Sequence, residues 1–256
     1  MREKPIMINQ PNLKRETRYG LPAADQILYN RHYVLGYSYY FRQAKWALEI
    51  VDPAKEILDP EEAVVERMDN FRPDYRIPED FRADLDIYVK SGYHRGHLVA
   101  SANQIDTEIQ NSETFLLSNM SPQKPKFNSQ IWKNLEDAIR DLDRSPKILE
   151  TYVITGPLFY FDQEVKMLGD TENDKVTTLP IPHAFFKSVL TENSRGTIHM
   201  WSFIIPNAKA KGELSDFRVK TTKVEKIAGL LLWSTLVGTK MEKEKNRLRK
   251  MWKHGG

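Results

Sequence analysis

The chain has 256 residues, a net charge of +3, 40% hydrophobic residues and no cysteine. This is the composition of a folded domain, and without cysteine the chain has no disulfides, thiolate metal ligands or cysteine nucleophile. The weak positive charge permits a polyanionic partner without requiring one, and because no apolar run approaches about 18 residues we expect no membrane partner.

A single domain is predicted over residues 1–256, because no repeat, low-complexity stretch or Pro/Gly/Ser linker divides the chain. Residues 1–19 are polar and irregular, and we interpret them as an N-terminal arm on a core of residues 20–236. Residues 237–256 are expected to form a basic C-terminal helix or tail, with seven Lys and Arg against two Glu. A charged tail of this kind is either a solvated helix face or a nucleic-acid contact.

Runs of β-branched and aromatic residues predict six strands, at Tyr33–Phe41, Arg42–Glu49, 111–117, Tyr152–Tyr160, Phe185–Leu190 and Thr197–Ile205. Apolar residues recur at helical spacing over Phe127–Leu142, and a shorter amphipathic helix is predicted over Val224–Leu236. The stretches 53–90 and 162–183 are expected to be mostly loop. Because strands and helices do not alternate regularly, the order predicts an α+β fold with a central, mostly antiparallel sheet flanked by helices.

Two histidines and an arginine lie within four residues of one another in the segment His94-Arg95-Gly96-His97. A histidine near neutral pH accepts a proton from water, and an arginine presents a planar fork of donors to a phosphate. The glycine between them permits a tight backbone path and the close approach of a ligand. An acid–base group beside a phosphate clamp suits phosphodiester hydrolysis.

A polar stripe is predicted on the helix over Phe127–Leu142, where Asn128, Trp132, Glu136 and Arg140 recur every four residues. Each step of four drifts by only about 40° around a helix, so the four side chains share one face. Amide and carboxylate oxygens are hard ligands of the kind that Mg²⁺ takes. Because Mg²⁺ retains several waters, one or two protein ligands are enough to hold it.

Simpler interpretations of the same residues remain open. His94 and His97 have a spacing at which they share a zinc ion, although no cysteine or later histidine-rich segment accompanies them. Asn128 alone is also a helix-cap residue, and Glu136 with Arg140 has the spacing of an ordinary surface ion pair. The remaining histidines are expected to be structural or exposed: His32, His183, His199 and His254.

Taken together, the two segments resemble the DNA/RNA non-specific endonucleases, the family of ββα-metal nucleases. The family signature Asp-Arg-Gly-His is matched by His94–His97, and its Asn-Met-Ser-Pro-Gln stretch by Asn119–Gln123. Similar pieces recur from about residue 20 to residue 236, among them Gly20-Leu-Pro, Thr155-Gly156-Pro157, Ile181-Pro182 and Phe203-Ile-Ile-Pro-Asn. The resemblance implies a single α+β domain that contains a ββα-metal active-site motif.

The resemblance implies a catalytic role for each polar residue at a matching position. His97 would be the general base that activates water, and Asn128 would be the direct ligand of Mg²⁺, with Mn²⁺ as a substitute. Glu136 would hold the waters of the ion in place. The ion would stabilise the leaving 3′ oxygen, so the products would carry 5′ phosphates.

Phosphate neutralisation in the transition state is assigned by the same resemblance to Arg95, Arg42 and Arg140, and support of the site to Asn119. The family reads backbone charge and groove shape more than base edges, so both DNA and RNA are expected partners. A homodimer is left open, and no inhibitor protein is indicated. The protein would be secreted or periplasmic if a signal peptide was trimmed, and otherwise cytoplasmic or organellar.

His94 departs from the family pattern, which has Asp at this position, close to the metal's water shell. An imidazole does not supply the same negative charge, so we expect weaker metal binding or a shift toward Mn²⁺, with His94 acting on the ion indirectly. The alternative function is a catalytically impaired nucleic-acid-binding protein on the same scaffold. A toxin that uses the same nuclease activity and a structural zinc protein are further alternatives.

Overall fold

Eleven strands are present in the structure, a computed structural model that describes residues 14–52, 65–169 and 178–253. They are β1 (Gln26–Tyr29), β2 (Tyr33–Ser38), β3 (Gln43–Ile50), β4 (His94–His97), β5 (Met120–Gln123), β6 (Glu150–Leu158), β7 (Met167–Leu168), β8 (Leu179–Pro180), β9 (Ala184–Glu192), β10 (Ile198–Pro206) and β11 (Arg218–Val219). Seven of them form one antiparallel sheet in the order β1-β2-β3-β6-β9-β10-β11. The pairs β4-β5 and β7-β8 form two separate ribbons.

Four α-helices lie in the described part of the chain: α1 (Glu108–Glu113), α2 (Lys133–Asp143), α3 (Thr221–Ala228) and α4 (Thr239–Lys245). A π-helical turn, Phe127–Trp132, leads directly into α2. Short 3₁₀ turns occupy Arg15–Tyr19, Glu79–Phe81, Leu85–Tyr88, Ser101–Asn103, Leu117–Asn119 and Leu214–Phe217.

Both faces of the central sheet are covered. Successive strand residues point to opposite faces, and Phe185 and Phe186 of β9 accordingly belong to different apolar clusters. Phe185 packs with Trp132 from the helical side that carries α2, whereas Phe186 packs with Val224 and Trp233 from the C-terminal part of the chain. Because both faces are covered, β6 and β9 are buried along their whole length.

The expected α+β class and the antiparallel sheet are confirmed. Five of the six predicted strands appear as β2, β3, β6, β9 and β10, each within a few residues of its predicted bounds. The helix predicted over Phe127–Leu142 is present as the π-helical turn followed by α2, with Leu135, Ala138 and Ile139 buried. The loop predicted over 162–183 contains the β7-β8 ribbon, and its residues 170–177 lie outside the described part of the chain.

The strand predicted over 111–117 is wrong. Residues up to Glu113 form α1, which begins where the Thr107 hydroxyl accepts a hydrogen bond from the Gln110 backbone N–H. The apolar run that follows is buried as a connection, with Phe115 fully enclosed, and it makes one isolated bridge between Arg72 and Leu116. Burial of a coil segment produces the same apolar pattern as burial of a strand, so the apolar run alone does not distinguish the two.

The helix predicted over Val224–Leu236 ends earlier than expected. Gly229 follows α3 in the left-handed conformation, with φ 63° and ψ 32°, and this stops the helix at Ala228. Leu230, Leu232 and Trp233 are buried all the same, but on an irregular chain segment.

The C-terminal segment consists of α4 and an extended stretch that packs on the body of the protein. The Trp252 indole N–H donates to the Ala138 carbonyl at 2.7 Å, and the Trp201 indole N–H donates to the Lys250 carbonyl at 2.9 Å. At the other end of the chain, the 3₁₀ turn Arg15–Tyr19 is tied to the sheet by an ion pair between Arg18 and Glu192. Residues 1–13 of the expected arm, residues 53–64 of the first loop and His254 lie outside the described residues.

No helix in the described ranges is both long enough and apolar enough to cross a lipid bilayer.

Not all basic residues of the C-terminal segment are exposed to solvent, and two lysines of α4 differ in this respect. Lys245 is buried and its ammonium donates to Glu225 at 2.9 Å and to the Leu232 carbonyl at 2.7 Å, whereas Lys243 is exposed. Removing one partner of a buried ion pair costs about 3 kcal/mol or more, because the other charge loses its partner. We therefore predict that Lys245→Ala lowers the free energy of unfolding by about 3 kcal/mol, measured by urea denaturation.

Lys243→Ala is the matched control, since it makes the same change on the same helix. It is expected to alter the free energy of unfolding by less than about 0.5 kcal/mol. Equal effects of the two substitutions would show that Lys245 is a solvated surface residue.

Candidate active site

A cavity of about 560 Å³ opens between the β4-β5 ribbon and the start of α2. This ribbon is called the hairpin below, although a long connection that contains α1 joins its two strands. Five polar residues predicted from the two sequence segments line this cavity: His97, Arg95, Asn128, Glu136 and Arg140. His94, which departs from the family signature, lines it as well. Arg67, Phe71, Tyr88, Ser101, Ser129 and Lys133 are among the further lining residues. The two segments are 20 or more residues apart in sequence, and the fold brings them to one site.

The β4-β5 hairpin sets the orientation of the two histidines. His94 pairs with Gln123 and His97 with Met120 across the hairpin. Gly96 lies between them, and a Cβ at this position would overlap the Gln123 side chain. The hairpin therefore needs glycine here because of close packing, which is a sharper reason than the freedom of the backbone alone.

Asn119 supports the site from beneath and does not line the cavity. Its side chain is fully buried, accepts a hydrogen bond from the Val99 N–H at 3.0 Å, and donates to the carbonyls of Val99 at 3.0 Å and Thr114 at 2.9 Å. Three bonds from one amide fix the chain that follows His97.

Three of the four residues of the predicted stripe reach the cavity. Asn128, Glu136 and Arg140 line it, but Trp132 is fully buried against Phe127 at 5.0 Å between ring centroids. The structure therefore brings three of the four stripe residues to the cavity, whereas Trp132, which is also one of the apolar residues at helical spacing, packs into the core.

His97 is half-buried and packs against two aromatic rings. Phe71 and Phe115 meet the imidazole edge to face, with ring centroids 5.8 and 5.0 Å away. Its Nε2 atom is buried and has no hydrogen-bond partner among the described residues. Burial, followed by the positive charges of Arg67 and Arg95, lowers the pKa of His97 to about 3. The imidazole is therefore neutral at physiological pH.

Two guanidinium groups flank this imidazole, each stacked on one of the enclosing rings. Arg95 lies 4.1 Å from the centroid of Phe71, and Arg67 lies 4.8 Å from the centroid of Phe115. Arg67 also donates to the Ser101 hydroxyl at 2.8 Å. Sequence reasoning missed Arg67, which stands in an acidic, Pro-rich stretch with no motif, and only the tertiary contact with Phe115 reveals it.

A chain of hydrogen bonds anchors Arg140 to the central sheet. Its Nη1 donates to the Asn103 side-chain oxygen at 2.8 Å, and the Asn103 amide donates to Glu49 of β3 at 3.1 Å. Glu49 is fully buried, and this burial raises its pKa to about 7. Arg140 also pairs with Asp137 of α2. The guanidinium is thus held from two sides while it lines the cavity.

Lys187 of β9 is buried, and its ammonium faces the carboxylate of Glu136, which lines the cavity. Its ammonium lies 3.6 Å from Glu136 Oε1 and donates to the Thr155 hydroxyl at 2.9 Å. Glu136 Oε1 is buried and has no hydrogen-bond partner in the described part of the chain, and burial raises the pKa of Glu136. The carboxylate is therefore held near the cavity with acceptor capacity to spare.

The donor set of the cavity fits a hydrated divalent ion. Within the described ranges, no group of three or more His, Asp and Glu side chains is gathered closely enough to enclose a metal. The cavity instead offers the amide of Asn128, the unsatisfied carboxylate oxygen of Glu136 and space for water. This matches an ion that retains most of its water, such as Mg²⁺ or Mn²⁺. It does not match a closed structural zinc site.

Arg42 is not brought to this cavity. It lies between β2 and β3 with φ 53°, and its guanidinium donates to the carbonyl and hydroxyl oxygens of Thr178, both at 3.3 Å. Its neighbours Phe41 and Lys45 line a different, apolar pocket. The structure therefore brings Arg95 and Arg140 to the cavity but not Arg42, and Arg67 is the third arginine among the lining residues.

The fold and the cavity define the class of protein, a ββα-metal protein in which a short hairpin and the following helix frame one site. The sequence profile of the DNA/RNA non-specific endonucleases matches residues 13–238, and the chain belongs to this family.

Similar proteins cover most of the chain. It is 33% identical to mitochondrial endonuclease G of Caenorhabditis elegans over 238 residues, which is 89% of this chain and 74% of that protein. It is 35% identical to a nuclease of Syncephalastrum racemosum over 230 residues, covering 84% and 69% of the two chains. A crystal structure of EndoG in complex with EndoGI superposes with a TM-score of 0.76 at 30% identity, covering 87% of this chain and 91% of that one.

Proposed function

We propose that this protein is a metal-dependent endonuclease that hydrolyses the phosphodiester bonds of DNA and RNA. The observation that carries the proposal is the juxtaposition, in one cavity, of a neutral imidazole, three guanidinium groups and an amide–carboxylate pair. A base for water, cations for a phosphate and oxygen ligands for a divalent ion are the three requirements of metal-assisted phosphodiester hydrolysis.

The three arginines bind the scissile phosphate. Arg67 and Arg95 lie on either side of His97, and Arg140 approaches from α2, so a phosphodiester in the cavity meets positive charge from several directions. Their planar donor groups suit phosphate oxygens, and they neutralise the charge that develops in the transition state. These contacts read the backbone and not the bases, which supports both DNA and RNA as substrates.

His97 removes a proton from the attacking water. Its neutral form is the one that accepts a proton, and burial together with Arg67 and Arg95 keeps it in that form. A bound phosphodiester places a negative charge beside these two arginines and offsets their effect on the pKa of His97. The base therefore becomes stronger when the substrate is in place.

Asn128 would hold the divalent ion, Mg²⁺ with Mn²⁺ as a substitute, and Glu136 would hold the waters around it. When bound, the ion supplies Lewis-acid stabilisation of the leaving 3′ oxygen, which gives products with 5′ phosphates. Lys187 fixes the Glu136 carboxylate for this task, and Asn119 fixes the chain beside His97.

A mitochondrial location is favoured among the compartments left open by the sequence, because similar proteins from Caenorhabditis elegans and Saccharomyces cerevisiae are named as mitochondrial nucleases.

Incubation with supercoiled plasmid and with single-stranded RNA tests the proposed activity. We expect both to be cut with Mg²⁺ or Mn²⁺ and neither with EDTA, and His97→Ala to slow cutting by about a thousandfold because the general base is lost. DNA binding, followed by gel shift, should persist in His97→Ala.

His32→Ala is the control, because His32 is partly exposed and does not line the cavity. Full activity of His97→Ala would overturn the mechanism. Binding without cutting under every metal condition would favour the alternative of an impaired nucleic-acid-binding protein.

Asn103 gives a second prediction, because it touches Arg140 and not the substrate. Asn103→Ala should lower kcat/KM about tenfold by releasing the guanidinium, the effect expected for one hydrogen bond to a charged group. In an Arg140→Ala background, the same substitution should have no further effect on kcat/KM. Independent, additive losses in the double variant would mean that Asn103 acts on stability or on another residue.

A further inference from the structure

We propose that His94 is a direct ligand of the divalent ion beside Asn128, so that the site holds its metal through one imidazole nitrogen and one amide oxygen and favours Co²⁺ and Mn²⁺ over Mg²⁺. This inference rests on the proposed function and specifies the ion that it uses. It differs from the expectation that His94 acts on the metal only indirectly.

The contact between the two side chains brings the imidazole and the amide together. His94 Nδ1 lies 3.2 Å from Asn128 Nδ2. With the amide nitrogen at this position, the amide donates and Nδ1 accepts, so the Nδ1 lone pair faces Asn128 and the proton lies on Nε2. A nitrogen with a free lone pair is the form of histidine that binds a metal.

The spacing of these two atoms matches a pair of metal ligands. Rotation of the Asn128 side-chain amide by half a turn exchanges its nitrogen for its oxygen at nearly the same position. The oxygen would then lie about 3 Å from His94 Nδ1. Adjacent ligands of an octahedral ion with bonds of about 2.1 Å are also separated by about 3 Å. The two side chains therefore need one rotation, and no backbone movement, to share an ion.

The surroundings leave His94 available for this role. Its backbone is fixed by pairing with Gln123, while its side chain is exposed and lines the cavity. Asn128 is its single hydrogen-bond partner within the described ranges, and no ion pair there involves it. The other histidine of β4, His97, is half-buried and packs against Phe71 and Phe115.

The consequence is a change in metal preference. Mg²⁺ strongly prefers oxygen ligands, whereas nitrogen ligands raise the affinity for first-row transition ions, with Co²⁺ above Mn²⁺ in the usual order. A carboxylate at position 94 would restore an all-oxygen set. The ratio of Co²⁺ to Mg²⁺ affinity therefore reports whether the imidazole is a ligand.

Calorimetric titration of the metal-free full chain with Mg²⁺, Mn²⁺ and Co²⁺ tests the proposal without relying on activity. His94→Asp should weaken Co²⁺ binding and strengthen Mg²⁺ binding, so that the affinity ratio falls at least tenfold, while His32→Ala leaves the ratio unchanged. In ¹⁵N-histidine-labelled protein, Zn²⁺ should shift the resonance of one His94 ring nitrogen, which is identified by its loss in His94→Asp.

An unchanged ratio together with an unshifted His94 nitrogen would overturn the proposal. If Asn128→Ala abolishes metal binding in that case, the metal-dependent nuclease stands with an oxygen-only site. If neither the wild type nor any variant binds a divalent ion, both the ligand proposal and the metal-dependent function fail.

Discussion

The half-buried imidazole of His97 packs against Phe71 and Phe115, with its Nε2 atom buried, and the charges of the cavity are arranged around this contact. The same two rings carry Arg95 and Arg67, so the aromatic pair that packs against the proposed base also places two guanidinium groups beside it. Burial and like charge both disfavour the imidazolium form. The proposed proton acceptor and the proposed phosphate ligands can therefore coexist within one small site.

The sheet beneath the cavity contributes charge as well as apolar surface. Lys187 of β9 and Glu49 of β3 are buried in the central strands, and each is satisfied through polar contacts that lead toward the cavity. Buried ionic groups cost free energy unless they are paired and hydrogen-bonded, so they hold their partners in narrow geometry. Lys187 fixes Glu136, and Glu49 fixes Arg140 through Asn103, which makes the sheet the rigid support for the residues of α2.

The sequence was sufficient to predict the parts of the fold and site that depend on local pattern. The long strands, the helix after Phe127, and the placing of His97, Asn128 and Glu136 in one cavity are examples. It was insufficient where tertiary contacts decide: Arg67 has no local signal, and the apolar residues after Gly229 are buried without being helical. Trp132 has the spacing of the polar stripe but packs into the core against Phe127 and Phe185, and this contact is visible only in the tertiary structure. Arg42 was expected at the site from the resemblance alone, but its guanidinium donates to Thr178 and does not line the cavity.

An NMR titration of His97 measures the central claim most directly. With ¹³C-labelled histidine in the metal-free folded protein, and with His97→Gln to assign the resonance, the imidazole should remain neutral far below neutral pH, with a midpoint at about 3. In the urea-denatured chain the same resonance should titrate near the ordinary histidine pKa of about 6.5. A folded-state midpoint near 6.5 or higher would show that the ring is solvated, and would contradict the account of a base kept neutral by burial and by the two flanking arginines.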